Sequence, residues 1–198
     1  IAGDPDSVCE AAFRVIKSAY ENIDMRNHKG EHPRIGAVDV CPFIPLEGVT
    51  MSECAEMSDN LAKRVSSELG LCTFLYGAAA TSPERELLSD LRKGQYEGFE
   101  ERLKNQGPNL PDYGPTEWNE NTAKFGAVVI GARKILVAYN VNVDEKDAAA
   151  ARKAGSLVRS TGRLLKKEDG RRTRIPGMLP MVQAVSYTHL RAHETESN

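Results

Sequence analysis

A dominant charge of one sign is missing from this chain: 26 lysines and arginines stand against 28 aspartates and glutamates in 198 residues, a net of -2. No global field therefore draws it toward nucleic acid or an anionic membrane. Long apolar runs are missing too, so no stretch is long enough to span a bilayer, and no signal-peptide pattern opens the sequence. CxxC pairs and zinc-type spacings are absent. Cys9, Cys41, Cys54 and Cys72 read as reduced thiols, most of them packed, in a cytoplasmic protein. There is no internal repeat, which sets aside repeat architectures. An initiator methionine is also lacking: the chain opens at Ile1 and a helical pattern begins almost at once, which reads as a truncated start. What remains is 40% hydrophobic content, enough to bury the core of one domain or two small subdomains.

Helical and extended periodicities alternate. Asp4 as cap, Pro5 at the first helical position and Asp6 near the positive dipole end open a helix to Ile23, with Val8, Ala11, Ala12, Val15, Ile16, Ala19 and Ile23 on one face. A strand is expected from about Ala37 to Ile44, where Pro42 and Pro45 suggest a sheet edge. Thr50 and Glu53 form a capping box for a second helix with Cys54, Met57, Leu61, Val65 and Leu69 inward, ended by Gly70. Leu71 to Tyr76 reads as a buried strand, Ser82 to Arg92 as a shorter helix, and Gln95 to Lys104 as another helical piece.

Gly107 to Lys124 is rich in glycine, proline and asparagine, a long loop of the kind that is functional or disordered. Further strand is expected at Val128 to Ile130 and Ile135 to Val143, then a helix over roughly Glu145 to Ser160 capped by Asp144, and a last strand start at Met178 to Ala184. The pattern predicts an α+β chain, an α/β sandwich with helices layered on one face of a sheet, plus an incomplete second subdomain of similar build. The expected boundaries are 1–125, 126–184 and a tail, 185–198.

That tail resembles the reading frame of a transposase-type sequencing adapter over Val185-Ser186-Tyr187-Thr188-His189-Leu190-Arg191-Ala192-His193, and is expected to be non-native. His189 and His193 have the i, i+4 spacing of a helical metal pair but lack the glutamate of HExxH, so no metal is assigned there. The basic run Arg159, Arg163, Lys166, Lys167, Arg171, Arg172 and Arg174 lacks interleaved aromatics and is read as a solvated linker, with no nucleic-acid role.

The chemistry concentrates in His28-Lys29-Gly30-Glu31-His32-Pro33-Arg34, between a helix end and a strand. An imidazole titrates near pH ~6.5 when unperturbed, so it can move a proton at neutral pH. The bland alternative is two solvated loop histidines. Against it stand Glu31 and Arg34 in the same loop, Pro33 restricting the backbone of His32, and the tendency of catalytic groups to gather on loops of a rigid scaffold. No third ligand at a plausible spacing supports zinc.

Asp24-Met25-Arg26, the HKGEHPR run and Ala37-Val38-Asp39-Val40-Cys41-Pro42-Phe43-Ile44-Pro45 together resemble the signature of the glutamate formiminotransferases. The likeness continues through Phe74-Leu75-Tyr76-Gly77, Arg92-Lys93-Gly94-Gln95-Tyr96-Glu97-Gly98, Pro111-Asp112-Tyr113-Gly114-Pro115 and Gly131-Ala132-Arg133-Lys134. The resemblance implies a cytoplasmic homodimeric transferase of histidine breakdown that moves the formimino group of N-formimino-L-glutamate to tetrahydrofolate. It implies no metal. His32 matches the family's catalytic histidine, with Glu31 or Asp39 left open as its orienting carboxylate and His28 secondary.

The family's folate loop corresponds to the stretch opened by Gly114 and Pro115 and closing before Gly126. Trp118 and Phe125 are candidates to stack on the ligand's rings, or Trp118 merely pins the loop. Arg34 is a candidate substrate- or folate-binding residue, and Arg133 a candidate partner for the carboxylates of glutamate or the folate tail, for which arginine is well suited. The family has an opening strand that this chain lacks, so the polypeptide is expected to turn over poorly. The alternatives are a non-catalytic folate-binding module of the same fold and a related formyl- or formimino-transferring folate enzyme.

Overall fold

The computed structural model describes residues 1–30, 32–106, 110–136, 148–158, 163–166 and 172–176. The chain divides into two compact units, Ile1–Val137 and Ala138–Asn198. The first is a three-stranded, wholly parallel sheet with helices packed on it. Its elements are α1 (Pro5–Asn22), β1 (Asp39–Phe43), α2 (Met51–Leu69), β2 (Cys72–Gly77), α3 (Leu88–Leu91), α4 (Phe99–Lys104), α5 (Glu120–Phe125) and β3 (Ala127–Ala132). The strand order is β1-β3-β2. β3 therefore lies in the centre, pairing Val128 with Asp39 and Thr73, and Ala132 with Phe43 and Gly77. Pro42 falls on an edge strand, as its missing N–H requires. The strand at 127–132, expected to open the second subdomain, completes the sheet of the first.

Both long helices start where their caps predict. The Asp4 carboxylate accepts from the Ser7 N–H at 3.0 Å, and Thr50 and Glu53 form the reciprocal box at α2. Gly70 ends α2 at φ 66°, a left-handed cap. The two helices cover one sheet face, where Phe13, Ile16, Leu61, Ala62 and Val65 meet Phe43, Leu75, Val128, Ile130 and Ala132. α1 is rolled relative to its predicted stripe: Val15 is 51% exposed while Phe13 is buried. The aromatic ring has more surface to bury than valine and sets the roll, with the Arg64 guanidinium 3.8 Å from its centroid.

The opposite face is covered as well, by short elements. Cys72, Phe74, Tyr76, Ala127 and Val129 pack against Leu91, Phe99 and Leu103. Strands covered on both faces are apolar throughout rather than alternating, which is why Leu71 to Tyr76 reads as a continuous run.

The helix expected from Ser82 to Arg92 is broken into a 3₁₀ turn, Pro83–Arg85, and the single turn α3. Arg85 is drawn inward to the Asp112 carboxylate at 2.5 Å and the Leu110 carbonyl at 2.7 Å, and the Gly77 N–H takes the Glu86 carbonyl. α4 starts at Phe99 rather than Gln95, because Gly94 and Gln95 both have positive φ (82° and 55°). The long polar loop is anchored: Thr73 donates to the Tyr113 carbonyl and Asp112 N–H to Thr73. Its end is α5, capped reciprocally by Asn119 and Thr122.

Gly114 turns with φ 99° against β2, where a Cβ would overlap the Leu71 carbonyl oxygen. Gly114→Ala is expected to destabilise the fold by at least about 2 kcal/mol, since side-chain strain and backbone collision add. Denaturant titration checks this, and a cost under about 0.5 kcal/mol would contradict it.

The second unit contains α6 (Ala148–Val158) and an antiparallel pair, β4 (Arg163–Lys166) and β5 (Arg172–Ile175). Part of the basic run expected as linker is thus strand. Ile135 and Leu136 are exposed and not in a strand. The rest of that expected strand, the Asp144 cap, the strand start at 178–184 and the tail lie outside the described residues. Among the described residues, no helix is long and apolar enough to cross a membrane.

Candidate active site

The histidine loop hangs between buried anchors. Asp24 caps the 3₁₀ turn Met25–Asn27, Met25 and Ile35 are each 1% exposed, and Arg26 pairs with both Asp24 and Glu120 of α5. The return of the loop docks on the amino end of β3: Ala37 N–H donates to the Phe125 carbonyl at 2.9 Å and Ala127 N–H to Ile35 at 3.2 Å. Gly36 and Gly126 bridge here, and a Cβ on either would strike the other segment's backbone. Gly126, expected to touch folate, permits this docking.

Arg34 is the centre of the loop and is only 7% exposed. Its guanidinium forks onto Glu97, Nη1 to Oε2 at 2.9 Å and Nη2 to Oε1 at 2.7 Å. Nε donates to His28 Nδ1 and Nη2 to the His28 carbonyl, both at 3.2 Å. The Tyr96 ring lies 5.9 Å from the guanidinium carbon, Tyr96 N–H donates to the Arg34 carbonyl at 2.9 Å, and Tyr96 hydroxyl donates to the Ala123 carbonyl. Arg34 is by sequence a candidate ligand-binding residue; in the structure its side-chain bonds run to Glu97 and His28 and hold the loop together. Both His28 and His32 stay exposed, and among the described residues His32 makes no hydrogen bond. Glu31 lies outside the described residues.

Asp39 does not serve His32 either. Its Oδ1 accepts from Ile35 N–H at 3.0 Å, and Arg92 Nε donates to the same oxygen at 3.1 Å while Nη2 pairs with Oδ2. Asp39 itself sits at φ 61°, a left-handed backbone rare for residues with a side chain. The bond to Ile35, four residues away, and those to Arg92, 53 positions away, hold it there. The expected orienting role is replaced by closure of the loop at the amino end of β1.

Trp118 is half-buried, 6.1 Å from the Tyr96 ring and 6.0 Å from Phe99, edge-on to the latter. It pins its loop to the same Tyr96 that underlies Arg34. Phe125 is fully buried and edge-on to Tyr20, so it belongs to the core and is not a surface for stacking a ligand. The Pro115 carbonyl lies 3.1 Å from Cys72 Sγ. Gly114, Pro115, Trp118 and the histidine loop thus gather toward the amino ends of the strands. Arg133 leaves the sheet at the other end of β3, bonded through its N–H to the Phe43 carbonyl.

Near Arg133 the Tyr76 hydroxyl is buried and, among the described residues, has no hydrogen-bond partner of good geometry, its ring fitting against Gly131. Burial pushes this phenol up, opposed by the nearby Arg133. Tyr76→Phe is expected to leave the melting temperature unchanged or slightly raised, because an unpaired buried hydroxyl costs stability. A loss above about 1 kcal/mol would show that the hydroxyl is bonded.

Glu97, Tyr96 and Arg92 share one short sequence block, in which nothing local marks them as part of the site. Their function depends on a turn that brings them to Arg34 and Asp39, and the block alone carries no sign of it.

Arg34 holds the Glu97 carboxyl below its ordinary value through their hydrogen bonds. A depressed carboxyl stabilises the fold above its unfolded pKa, and the contribution disappears as pH falls through the folded one. Loosening of the loop is therefore expected only on the acid side of the usual glutamate range, and not between pH 6 and 8. Amide exchange at Arg34 and Tyr96 followed against pH checks the window.

The cysteines carry no site. Burial pushes Cys41 up to about 11 and Cys72 up to about 12, far from a reactive thiolate. Among the described residues no group of three or more histidines, cysteines or carboxylates is placed to hold a metal.

Residues 1–133 match the model of the formiminotransferase domain, N-terminal subdomain. The chain belongs to the formiminotransferase family. It is 46% identical over 162 residues to a glutamate formimidoyltransferase of Streptococcus pyogenes serotype M1, covering 82% of this chain and 53% of that protein. It is 43% identical over 185 residues to the formimidoyltransferase-cyclodeaminase of Sus scrofa, covering 93% of this chain and 32% of the other. A glutamate formimidoyltransferase of Thermoplasma acidophilum is 42% identical over 159 residues, 79% of this chain and 51% of that one. This formiminotransferase chain therefore spans about half the length of the single-activity relatives and a third of the cyclodeaminase fusion. The matched subdomain contains the parallel sheet and the whole histidine loop.

Proposed function

We propose that the protein transfers the formimino group of N-formimino-L-glutamate to N5 of tetrahydrofolate, with His32 as the general base. The observation that carries this is an exposed imidazole, free of hydrogen bonds among the described residues, on a loop clamped by a buried arginine in a chain of this family. N5 forms a bond to the amidine-type carbon of the donor and loses its proton to His32. Collapse of the tetrahedral adduct breaks the bond from that carbon to the glutamate nitrogen, which receives the proton. Formimino-tetrahydrofolate and glutamate result, and no electrons change hands. A base with a pKa near the working pH suits both halves of this proton traffic.

Gly114, Pro115 and Trp118 border the same end of the sheet, and the half-buried Trp118 beside Tyr96 is proposed to contact the flat rings of the folate. Arg133, at the far end of β3, is proposed to meet a ligand carboxylate extending along the sheet. The acting form is proposed as a cytoplasmic homodimer, with tetrahydrofolate as co-substrate and no metal.

The test is glutamate release from N-formimino-L-glutamate and from N-formyl-L-glutamate, each with and without tetrahydrofolate. Release that needs both the formimino compound and the folate supports the reading. Release from the formyl compound alone would move the protein to a related transferase, and folate binding without release would make it a binding module.

A further inference from the structure

The imidazole beside the proposed base has its own geometry. His28 Nδ1 faces Arg34 Nε at 3.2 Å, and a guanidinium nitrogen only donates. Nδ1 must therefore offer its lone pair, which places the proton of the neutral ring on Nε2. A ring turned over would set a C–H against the guanidinium and forfeit the bond.

Two further contacts hold this arrangement. The His28 carbonyl accepts from Arg34 Nη2, so one guanidinium grips both the backbone and the ring of the same residue. The ring lies over Gly30, where a Cβ would come within 3.0 Å of Cε1. Glu97 fixes the far side of Arg34, and Glu97 follows Gln95, held at φ 55°. Backbone strain of this kind persists where surrounding structure over-determines it, as at ligand clamps. Among the described residues the assembly leaves the ring's Nε2–H uncommitted, on an exposed side chain.

We infer that His28 is a recognition group of the site: a neutral imidazole locked by Arg34 as an Nε2–H donor to a carbonyl or carboxylate oxygen of the bound ligand. This rests on the proposed formimino-transfer site and assigns its second histidine. His28 moves no proton there; it binds. Glu97 acts through Arg34 as a positioning residue.

The test begins with the chain labelled with ¹⁵N in its four histidines. Long-range ¹⁵N–¹H correlation is expected to show one imidazole fixed as Nε2–H with a bare Nδ1, absent in His28→Gln and averaged between tautomers in Arg34→Lys. Titrations with tetrahydrofolate and with N-formimino-L-glutamate form the second arm. His28→Phe keeps a flat ring without a donor and is expected to weaken one of the two by about tenfold, the value of one lost hydrogen bond. His28→Gln, whose amide can accept from Arg34 and still donate, is expected to stay within about threefold. The ligand whose dissociation constant moves is the one that supplies the oxygen.

An Nδ1–H tautomer in the wild type, or unchanged affinity for both ligands in His28→Phe, overturns the inference. A fixed tautomer and a weakened His28→Phe without any glutamate release leave the inference standing and reject the transfer reaction.

Discussion

Alanine at position 32 is expected to lower tetrahydrofolate-dependent glutamate release by about 10²–10⁴-fold, the usual worth of a positioned base. The loss should fall on kcat, since His32 is asked to move a proton rather than to hold a substrate. The fold should be untouched. His32 is exposed and makes no hydrogen bond among the described residues, while the groups that secure its loop are Met25, Arg34 and Ile35. Far-ultraviolet circular dichroism and melting temperature should therefore match the parent. Added imidazole should restore part of the rate by entering the space the side chain leaves. A loss of less than tenfold, with kcat and KM both near the parent's, would remove His32 from the role of base while leaving the family membership intact.

The largest stability effect is expected at Asp112→Ala, on the order of 4 kcal/mol. Asp112 and Arg85 form an ion pair in which the side chains are 8% and 11% exposed. Removing one partner of a buried pair costs about 3–5 kcal/mol, because the other charge is left without its counterion. Asp112 also accepts from Leu75 N–H at 2.8 Å and Thr81 hydroxyl at 2.7 Å. β2 is an edge strand, and the Asp112–Tyr113 segment is what satisfies its outer backbone at Thr73 and Leu75. Loss of the carboxylate thus frees the loop that leads to Gly114 and Trp118. For a unit of this size a melting shift on the order of 10 °C follows. A cost below about 1 kcal/mol would mean that water replaces the carboxylate freely at this edge.

Local signals in the chain proved sufficient wherever the cause is itself local. Asp4, the Thr50–Glu53 pair and Gly70 bounded the two long helices, because a cap is a bond between residues three or four apart. Leu71 to Tyr76 was legible as strand from its unbroken apolar run. The HKGEHPR run stood out as a candidate site because so many ionisable groups sit between two elements, and the family likeness of its neighbours is the same one borne by residues 1–133.

Tertiary structure decided everything that depends on residues distant in sequence. Phe125 has the character of a stacking residue, and only its place in the core, with Tyr20 of α1 edge-on to it, buries it. Arg34 and Asp39 carry charges suited to a substrate or a histidine, yet partners 63 and 53 positions away claim them. The helix expected at Ser82 to Arg92 is interrupted where Arg85 turns inward to the Asp112 carboxylate, 27 positions away. In each case a pairwise energy with a remote partner outweighed a local preference of a few tenths of a kcal/mol per residue. His32 is the complementary case: among the described residues nothing in the fold bonds to it, which leaves its imidazole open for the proposed role.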